Sequence, residues 1–362
     1  MRELGVSIYP DKTLLQENKE YLTLASKYGF TRVFTCLLSI EGNEEKIIGN
    51  FAELVKHGNK LGMKTIADVS PKIFEKFNLN YNDLSFFKQL GLYGIRLDLG
   101  FSGNEESIMS FSKENIKIEI NMSNGTKYLE NILEHWPNTE NILGCHNFYP
   151  HKYTGISREH FLKCSRLFKT KGIRTAAFIS SNHGKFGPWP ISEGLCTLEE
   201  HRGLPIEVQA KDLFNTNLID DVIIGNCFAS EDELKLLSEL NKYMLVLNVD
   251  IEASISDLEK KIVIEEFHFN RGDVSEYMIR STQSRVKYKG HEFKIFNPKD
   301  IEKGDILIES SLYDRYAGEL QIALRPMKNS GKTNVVGKIA SNEIFLLDKI
   351  KPWQKFQFKL KK

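Results

Sequence analysis

Short apolar runs alternate with amphipathic stretches over about the first 230 residues, each pair reading as a strand followed by a helix. Leu4–Pro10 opens the series. The helix behind it keeps Leu14, Leu15, Tyr21, Leu22, Leu24 and Ala25 at helical spacing, and Gly29 closes it. Arg32–Leu38, Lys64–Ser70, Gly94–Gly100, Ile116–Asn121, a run from Ile142, Arg174–Ser181 and Asp221–Cys227 are the next seven strands. Helices are predicted near 44–61, up to Leu90, and at 104–112, 126–136, 157–171, 206–216 and 231–241. Eight such units in about 240 residues match a closed (β/α)₈ barrel. An open doubly wound sheet would show a Gly-rich phosphate turn after its first strand, and Tyr9-Pro10-Asp11 is not one.

From about Met244 the pattern changes. Short β-rich runs take over, at Met244–Val249, Glu265–Phe269, Val286–Tyr288, Phe293–Phe296, Ile306–Ile308, Gln321–Leu324, Val335–Ile339 and Phe345–Leu347, with turn signals between them. The fold class is therefore α/β, a (β/α)₈ barrel over 1–242 followed by a smaller, mostly-β domain over 243–362. No low-complexity linker separates them, so the two are expected to pack together.

Composition changes this picture little. At 362 residues, 41% hydrophobic and 27% charged, the chain is ordinarily globular. A formal net charge of +1 argues against a broad nucleic-acid or membrane surface, though not against a local basic pocket. No run of about 18 apolar residues would span a bilayer. The N-terminus enters a strand without an apolar leader core, and the five scattered cysteines contain no CxxC. Both features predict a cytoplasmic protein with free thiols.

Barrel sites are built at the C-terminal ends of the strands. Those ends carry Tyr9 and Asp11; Ser39 and Glu41; Asp68 and Ser70; Arg96 and Asp98; Glu119, Asn121, Ser123 and Asn124; His146, Asn147 and Tyr149; Ser181, Asn182 and His183; and Asn226. Many such residues serve only as helix caps or solvated turns. Carboxylates inside apolar runs say more: Asp98 in Ile-Arg-Leu-Asp-Leu, Glu119 in Ile-Lys-Ile-Glu-Ile, and Asp68 after Ile66-Ala67. Burying a carboxylate is expensive unless it is paired, so each is either half of a structural ion pair or part of a site. Three carboxylates on consecutive strands suit acid/base work on a glycosidic bond, one protonated and one ionised. Asp68, Asp98 and Glu119 are the catalytic candidates. Asn121, Asn124, His146, Asn147, Tyr149, His183 and Asn226 are the substrate-binding candidates around them.

Two further features point to anions. Arg202 closes the long loop from Gly187, and a guanidinium fork matches phosphate or carboxylate. Arg271, Arg280 and Arg285 fall in one short segment, an anion clamp if the strands turn them to the barrel mouth and surface charge otherwise. Ser330-Gly331-Lys332-Thr333 ends like a P-loop but has Pro326 where the first glycine belongs. Arg271-Gly272-Asp273 is a chance tripeptide. His146 and His151 lack the spacing of a zinc pair, so neither metal nor cofactor is expected.

Several stretches together resemble the bacterial 6-phospho-N-acetylmuramidase (MupG-type) family. They are Ile66-Ala-Asp-Val-Ser-Pro71, Arg96-Leu-Asp-Leu-Gly-Phe101, His146-Asn-Phe-Tyr-Pro150 with Tyr153-Thr-Gly155, and Gly194-Leu-Cys-Thr-Leu-Glu-Glu-His-Arg202. The likeness runs the whole length, with Asn121-Met-Ser-Asn124 standing where Asn-Ala-Ser-Asn is expected. The resemblance implies a (β/α)₈ barrel, a cyclophilin-like second domain, and cytoplasmic hydrolysis of N-acetylmuramic acid 6-phosphate–N-acetylglucosamine during cell-wall recycling. The partner would be that phosphorylated amino-sugar disaccharide, with no nucleic acid and no membrane. The oligomeric state stays open, a homodimer included. The resemblance carries no catalytic assignment, so the three carboxylates stand on strand-end position alone. Two other functions use the same barrel: a sugar-phosphate isomerase or aldolase, and a non-catalytic sugar-phosphate or peptide binder. The first would need a strand lysine near the mouth, but Lys64 and Lys117 sit at strand beginnings.

Overall fold

The computed structural model describes residues 1–37, 44–190 and 193–361. It divides into two compact units, Met1–Leu240 and Asn241–Lys362. The first alternates β1 (Glu3–Ile8), α1 (Leu15–Lys27), β2 (Arg32–Cys36), α2 (Glu44–Lys60), β3 (Lys64–Val69), α3 (Pro71–Lys76) and α4 (Ser85–Gln89). It continues with β4 (Gly94–Leu97), α5 (Asn104–Met109), β5 (Lys117–Asn121), α6 (Tyr128–Glu134), β6 (Ile142–Cys145) and α7 (Arg158–Thr170). β7 (Arg174–Ile179), α8 (Ile206–Asn215), β8 (Asp221–Ile224) and α9 (Glu231–Ser238) complete it.

All eight strands are parallel and neighbours in chain order pair. β8 returns to β1 with Glu3 opposite Asp221 and Val6 opposite Ile224, which closes the barrel. The chain favours this because its strands are buried on both faces, as parallel strands under helices must be. In β3 only Lys64 reaches solvent appreciably, and Asp68 sits inside the buried run. Local signals set the helix ends. Ser157 and Ser230 accept from the backbone N–H three residues on, at α7 and α9. Gly29, Gly62 and Gly172 take left-handed φ of 76°, 76° and 75° just past α1, α2 and α7, where a side chain would be strained.

The barrel interior is not purely apolar. Arg32, at the start of β2, lies between Glu119 of β5 and Asp221 of β8; it donates to both, at 2.7 Å to Asp221. Arg174, at the start of β7, donates to Asp221 from Nε at 3.0 Å. Arg32, Glu119 and Asp221 are all buried. The fit is not complete: Glu119 Oε1 is buried without a hydrogen-bond partner among the described residues.

The second unit holds β9 (Leu245–Ile251), α10 (Asp257–Glu265), β10 (His268–Phe269), β11 (Met278–Ser281), α11 (Gln283–Lys287), β12 (Asp305–Glu309), β13 (Leu320–Ala323), β14 (Thr333–Ile339) and β15 (Lys355–Leu360). Its sheet runs β10-β15-β9-β14-β12-β13-β11, and every pairing is antiparallel except β15 with β9. The unit is mostly β, as expected, but several runs differ. Of the run Glu265–Phe269, Glu265 ends α10, which Ser256 and Glu259 cap reciprocally, and only His268–Phe269 is strand. Val286 and Lys287 end α11 instead of forming a strand. Phe345–Leu347 lies in a 3₁₀ segment, Ser341–Lys349, pinned by the buried Glu343 carboxylate accepting from Asn248 N and Nδ2 at 2.8 Å. β15 escaped the sequence reading although Lys355-Phe-Gln-Phe-Lys-Leu360 alternates polar and apolar residues strictly and turns Phe356 and Phe358 inward.

Candidate active site

The polar mouth forms where β3, β4, β5 and β6 end. Asp68 pairs in register with Cys36 on one side and Arg96 on the other. Asp98 is two residues past Arg96, so both side chains leave the same face of the chain. Arg96 is the hub. Its Nη1 donates to Asp68 Oδ1 at 3.0 Å, its Nη2 stands 3.4 Å from Asp98 Oδ1, and Nη2 also donates to Asn147 Oδ1. Asp98 is held from a second direction by Asn121 Nδ2 at 3.0 Å, and Asn121 Oδ1 is fixed in turn by Ser123 N at 2.8 Å.

Behind this floor lies a buried relay. Ser123 Oγ accepts from Asn147 N at 2.9 Å and meets His146 Nδ1 at 3.0 Å; His146 Nε2 meets Ser165 Oγ at 2.9 Å. The imidazole is fully buried and stacked on Phe161, with ring centroids 4.7 Å apart. Burial pushes it down to about 3, and the nearby His160 and Arg96 act in the same direction, so it stays neutral. His146 therefore sets the position of Asn147 and does not face the mouth, unlike the sequence expectation for it. Asn147 is oriented by Arg96 holding its oxygen, which leaves the amide N–H₂ as the outward donor.

Asp68, Arg96, Asp98 and Asn147 floor a well of about 160 Å³. Phe148, Phe178 and Trp189 wall it. Phe148 and Phe178 pack edge to face with centroids 4.9 Å apart, while Trp189 is 54% exposed. The charge count is uneven: one buried cation, Arg96, sits between two carboxylates. Burial raises Asp68 to about 6 and Asp98 adds to the rise, so Arg96 lowers it only part of the way back. The Asp68 side chain is 8% exposed and that of Asp98 40%. Two carboxylates in one well thus sit in different environments, the arrangement that separates an acid from a base. Tyr149, half-buried, is raised by burial and feels Arg96 and Asp98.

The remaining candidates lie elsewhere. Glu119 is turned into the barrel interior, bound to Arg32, and is fully buried. Asn124 and His183 are exposed, His183 with Nδ1 3.4 Å from Glu233. Ser39 and Glu41 lie outside the described residues.

Arg202 and Asn226 border a second cavity, of about 550 Å³, at the β7–β8 side, but neither has a polar group to spare. Arg202 spends all five N–H groups on Glu199, the carbonyls of Glu193 and Gly194, and Tyr149 O. The Arg202 guanidinium in turn holds Glu199 down to about 2, with backbone N–H groups of Tyr153 and Gly155 contributing. Asn226 donates to Ser181 O and Gly184 O and accepts from Ser181 N and Ser180 Oγ. Both are loop staples, because the irregular backbone after β6 and β7 needs internal partners. Arg271, Arg280 and Arg285 belong to the second unit and engage Asp273 or Glu319 there.

Sequence reasoning missed Arg96 and Trp189. Arg96 stood among the strand-end residues but not among the binding candidates; an Arg-x-Asp pair ending a buried strand shares one face, and that signal was available. Trp189 stood in a long loop rich in Gly and Pro with nothing to mark its direction. Among the described residues, one trio, Glu200, His201 and Asp212, brings metal-type ligand atoms together. Arg158 already bonds both of its carboxylates, so the trio does not fit a cation site.

Comparison with known proteins covers both units. The family model for the 6-phospho-N-acetylmuramidase N-terminal domain matches residues 4–239, and that for its C-terminal domain residues 245–359. A crystal structure of an uncharacterized B. cereus protein is 46% identical with a TM-score of 0.92, covering 99% of each chain. A conserved protein of unknown function from Enterococcus faecalis is 24% identical over 99% of this chain and 96% of that one; its TM-score of 0.72 shows the shared fold. No curated protein matches.

Proposed function

The chain belongs to the 6-phospho-N-acetylmuramidase family, a family of glycosidases, and on that premise we propose that it hydrolyses the bond between N-acetylmuramic acid 6-phosphate and N-acetylglucosamine. Cytoplasmic recycling of cell-wall material is the setting this substrate fits. The observation that carries the chemistry is the sharing of Arg96 by Asp68 and Asp98 on the floor of the well.

With both acids ionised, the trio of Asp68, Arg96 and Asp98 would hold a net charge of −1 in a largely buried place. Taking up one proton makes it neutral, and Asp68, raised to about 6, is where that proton rests. Asp68 then gives its proton to the glycosidic oxygen as the bond from C1 breaks, so the leaving sugar departs as an alcohol. Asp98, ionised and held by Asn121, faces the positive charge growing at C1, as base for water or as nucleophile. With Asp98 as nucleophile, Asp68 takes a proton back from the water that releases the sugar; with Asp98 as base, Asp98 takes water's proton, and exchange with solvent restores the starting protonation of both acids. Asn147 N–H₂ and the Trp189 ring bind the sugar, one by hydrogen bonds and one by contact with its C–H face. Glu119 is assigned to the barrel interior and not to the chemistry.

The deciding experiment offers phosphorylated and unphosphorylated muramyl–glucosamine disaccharide to wild type and Asp98→Asn, with products read by mass spectrometry. Cleavage confined to the phosphorylated substrate and lost in the variant supports the proposal. Folded wild type that cleaves neither would sink it and leave a binding protein.

A further inference from the structure

The second unit carries a cluster that the barrel chemistry does not use. Glu319 is fully buried, and two guanidinium groups converge on it. Arg280 Nε donates to Oε1 at 2.7 Å, and Arg285 Nη1 lies 2.8 Å from Oε2. Both guanidiniums also lie against the ring of Tyr316, 5.7 and 5.3 Å from its centroid. A buried carboxylate needs a counter-charge, but one arginine would supply it. Glu309, buried beside Glu319 and raised by its burial, also feels Arg280, so the charge in excess lies on Arg285, at the cavity side. The other N–H groups of the two arginines, on both terminal nitrogens of Arg280 and on Nε and Nη2 of Arg285, have no hydrogen-bond partner among the described residues.

The excess charge sits at a concavity. Arg285 and Tyr316 line a cavity of about 940 Å³, together with Lys289, His291 and Arg315. Its acids, Glu292 and Asp314, are outnumbered by Arg285, Lys289 and Arg315 even with His291 neutral. Asp314 holds a left-handed φ of 43° on the rim, a conformation that costs energy for a non-glycine residue. Glu319 holds Arg280 by a hydrogen bond and Arg285 by a charge contact, so part of the side-chain freedom lost on binding is already spent.

We propose that this cavity binds a small phosphomonoester. The Arg285 fork and the rim cations take the phosphoryl oxygens, and the Tyr316 ring forms one wall for the organic part. A phosphoryl group suits the site because its three oxygens and near-double negative charge match several donors at once, where a carboxylate offers two oxygens and one charge. The site is built within the second unit and does not rest on the barrel reaction.

The test is calorimetric titration of the full chain with inorganic phosphate, N-acetylglucosamine 6-phosphate and N-acetylglucosamine. Phosphate and the sugar phosphate should bind, and the plain sugar should not. Arg285→Met should weaken binding at least tenfold, and raised salt should weaken it in the wild type. Tighter binding of the sugar phosphate than of phosphate identifies an amino-sugar ligand; equal binding identifies the phosphoryl group as all that is recognised. Arg285→Met leaves Arg280 on Glu319, which guards the fold. Lys289→Ala with Arg315→Ala, both at exposed positions, should cost severalfold without moving Tm. Unchanged affinity in the Arg285 variant, or no phosphate-dependent binding to wild type, overturns the proposal.

Discussion

Asp68 and Asp98, thirty residues apart on consecutive strands, take opposite terminal nitrogens of the same arginine, at 3.0 and 3.4 Å. The pair differs in burial, and that difference, more than the presence of two acids, gives each carboxylate its own task.

Asp98→Asn removes the ionised partner while keeping shape and the contact with Asn121. Turnover should fall by about 10²–10⁴-fold, with Tm within a few degrees of wild type because the side chain is 40% exposed. Steady-state kinetics beside a thermal melt tests this; near-normal turnover would remove Asp98 from the mechanism.

Asp68 sets the pH response. Acting as acid, it must hold its proton, so kcat/KM should decline as pH rises through about 6. The stability effect has the same sign. A folded pKa above the unfolded value means the folded chain holds the proton longer. That contribution is complete below about pH 4 and lost as pH climbs through 6, on the order of 3 kcal/mol in all. Urea melts of wild type and Asp68→Asn from pH 4.5 to 7.5 should therefore show wild type losing ground to the variant as pH rises. Parallel curves would contradict this.

Glu119→Gln should act on stability. Arg32 keeps Asp221 but loses its second counter-charge, a cost of about 2–3 kcal/mol, read from denaturant midpoints. Turnover of the folded variant should stay close to wild type. A turnover loss matching that of Asp98→Asn, without loss of stability, would return Glu119 to the chemistry.

Trp189→Ala should raise KM about tenfold, equivalent to roughly 1.4 kcal/mol of lost contact, and leave kcat and Tm nearly unchanged. Substrate titration of a protein lacking Trp136 and Trp353 should quench the fluorescence of the remaining Trp189. No quench at saturating substrate argues against the contact.

The barrel was legible because strand–helix alternation is local, and each element carries its own periodicity and caps. The site was legible only in part. Ile-Arg-Leu-Asp-Leu and Ile-Lys-Ile-Glu-Ile look alike as strings, yet Asp98 opens to the well and Glu119 turns inward. What separates them is Arg32, a partner 87 positions before Glu119. Arg202 is a similar case. Its guanidinium looked free for an anion, but its five donors are consumed by a loop whose path no local pattern encodes. In the second unit, the alternation of β15 was fully local and legible, and its lysines are the polar half of that pattern.

The charged chain through the barrel interior bears on how the domain could be cut. Arg32 lies on β2, while both of its carboxylates lie beyond β4, on β5 and β8. A break in the loop between β4 and β5 would leave Arg32 without either acid in one half and Glu119 without a counter-charge in the other, where Asp221 keeps only Arg174. Each fragment alone would have to desolvate an uncompensated charge in order to pack. Together they would restore the pairing across the seam. The halves should therefore make poor independent folds and good complementing partners, an ionic latch suited to split-protein reassembly.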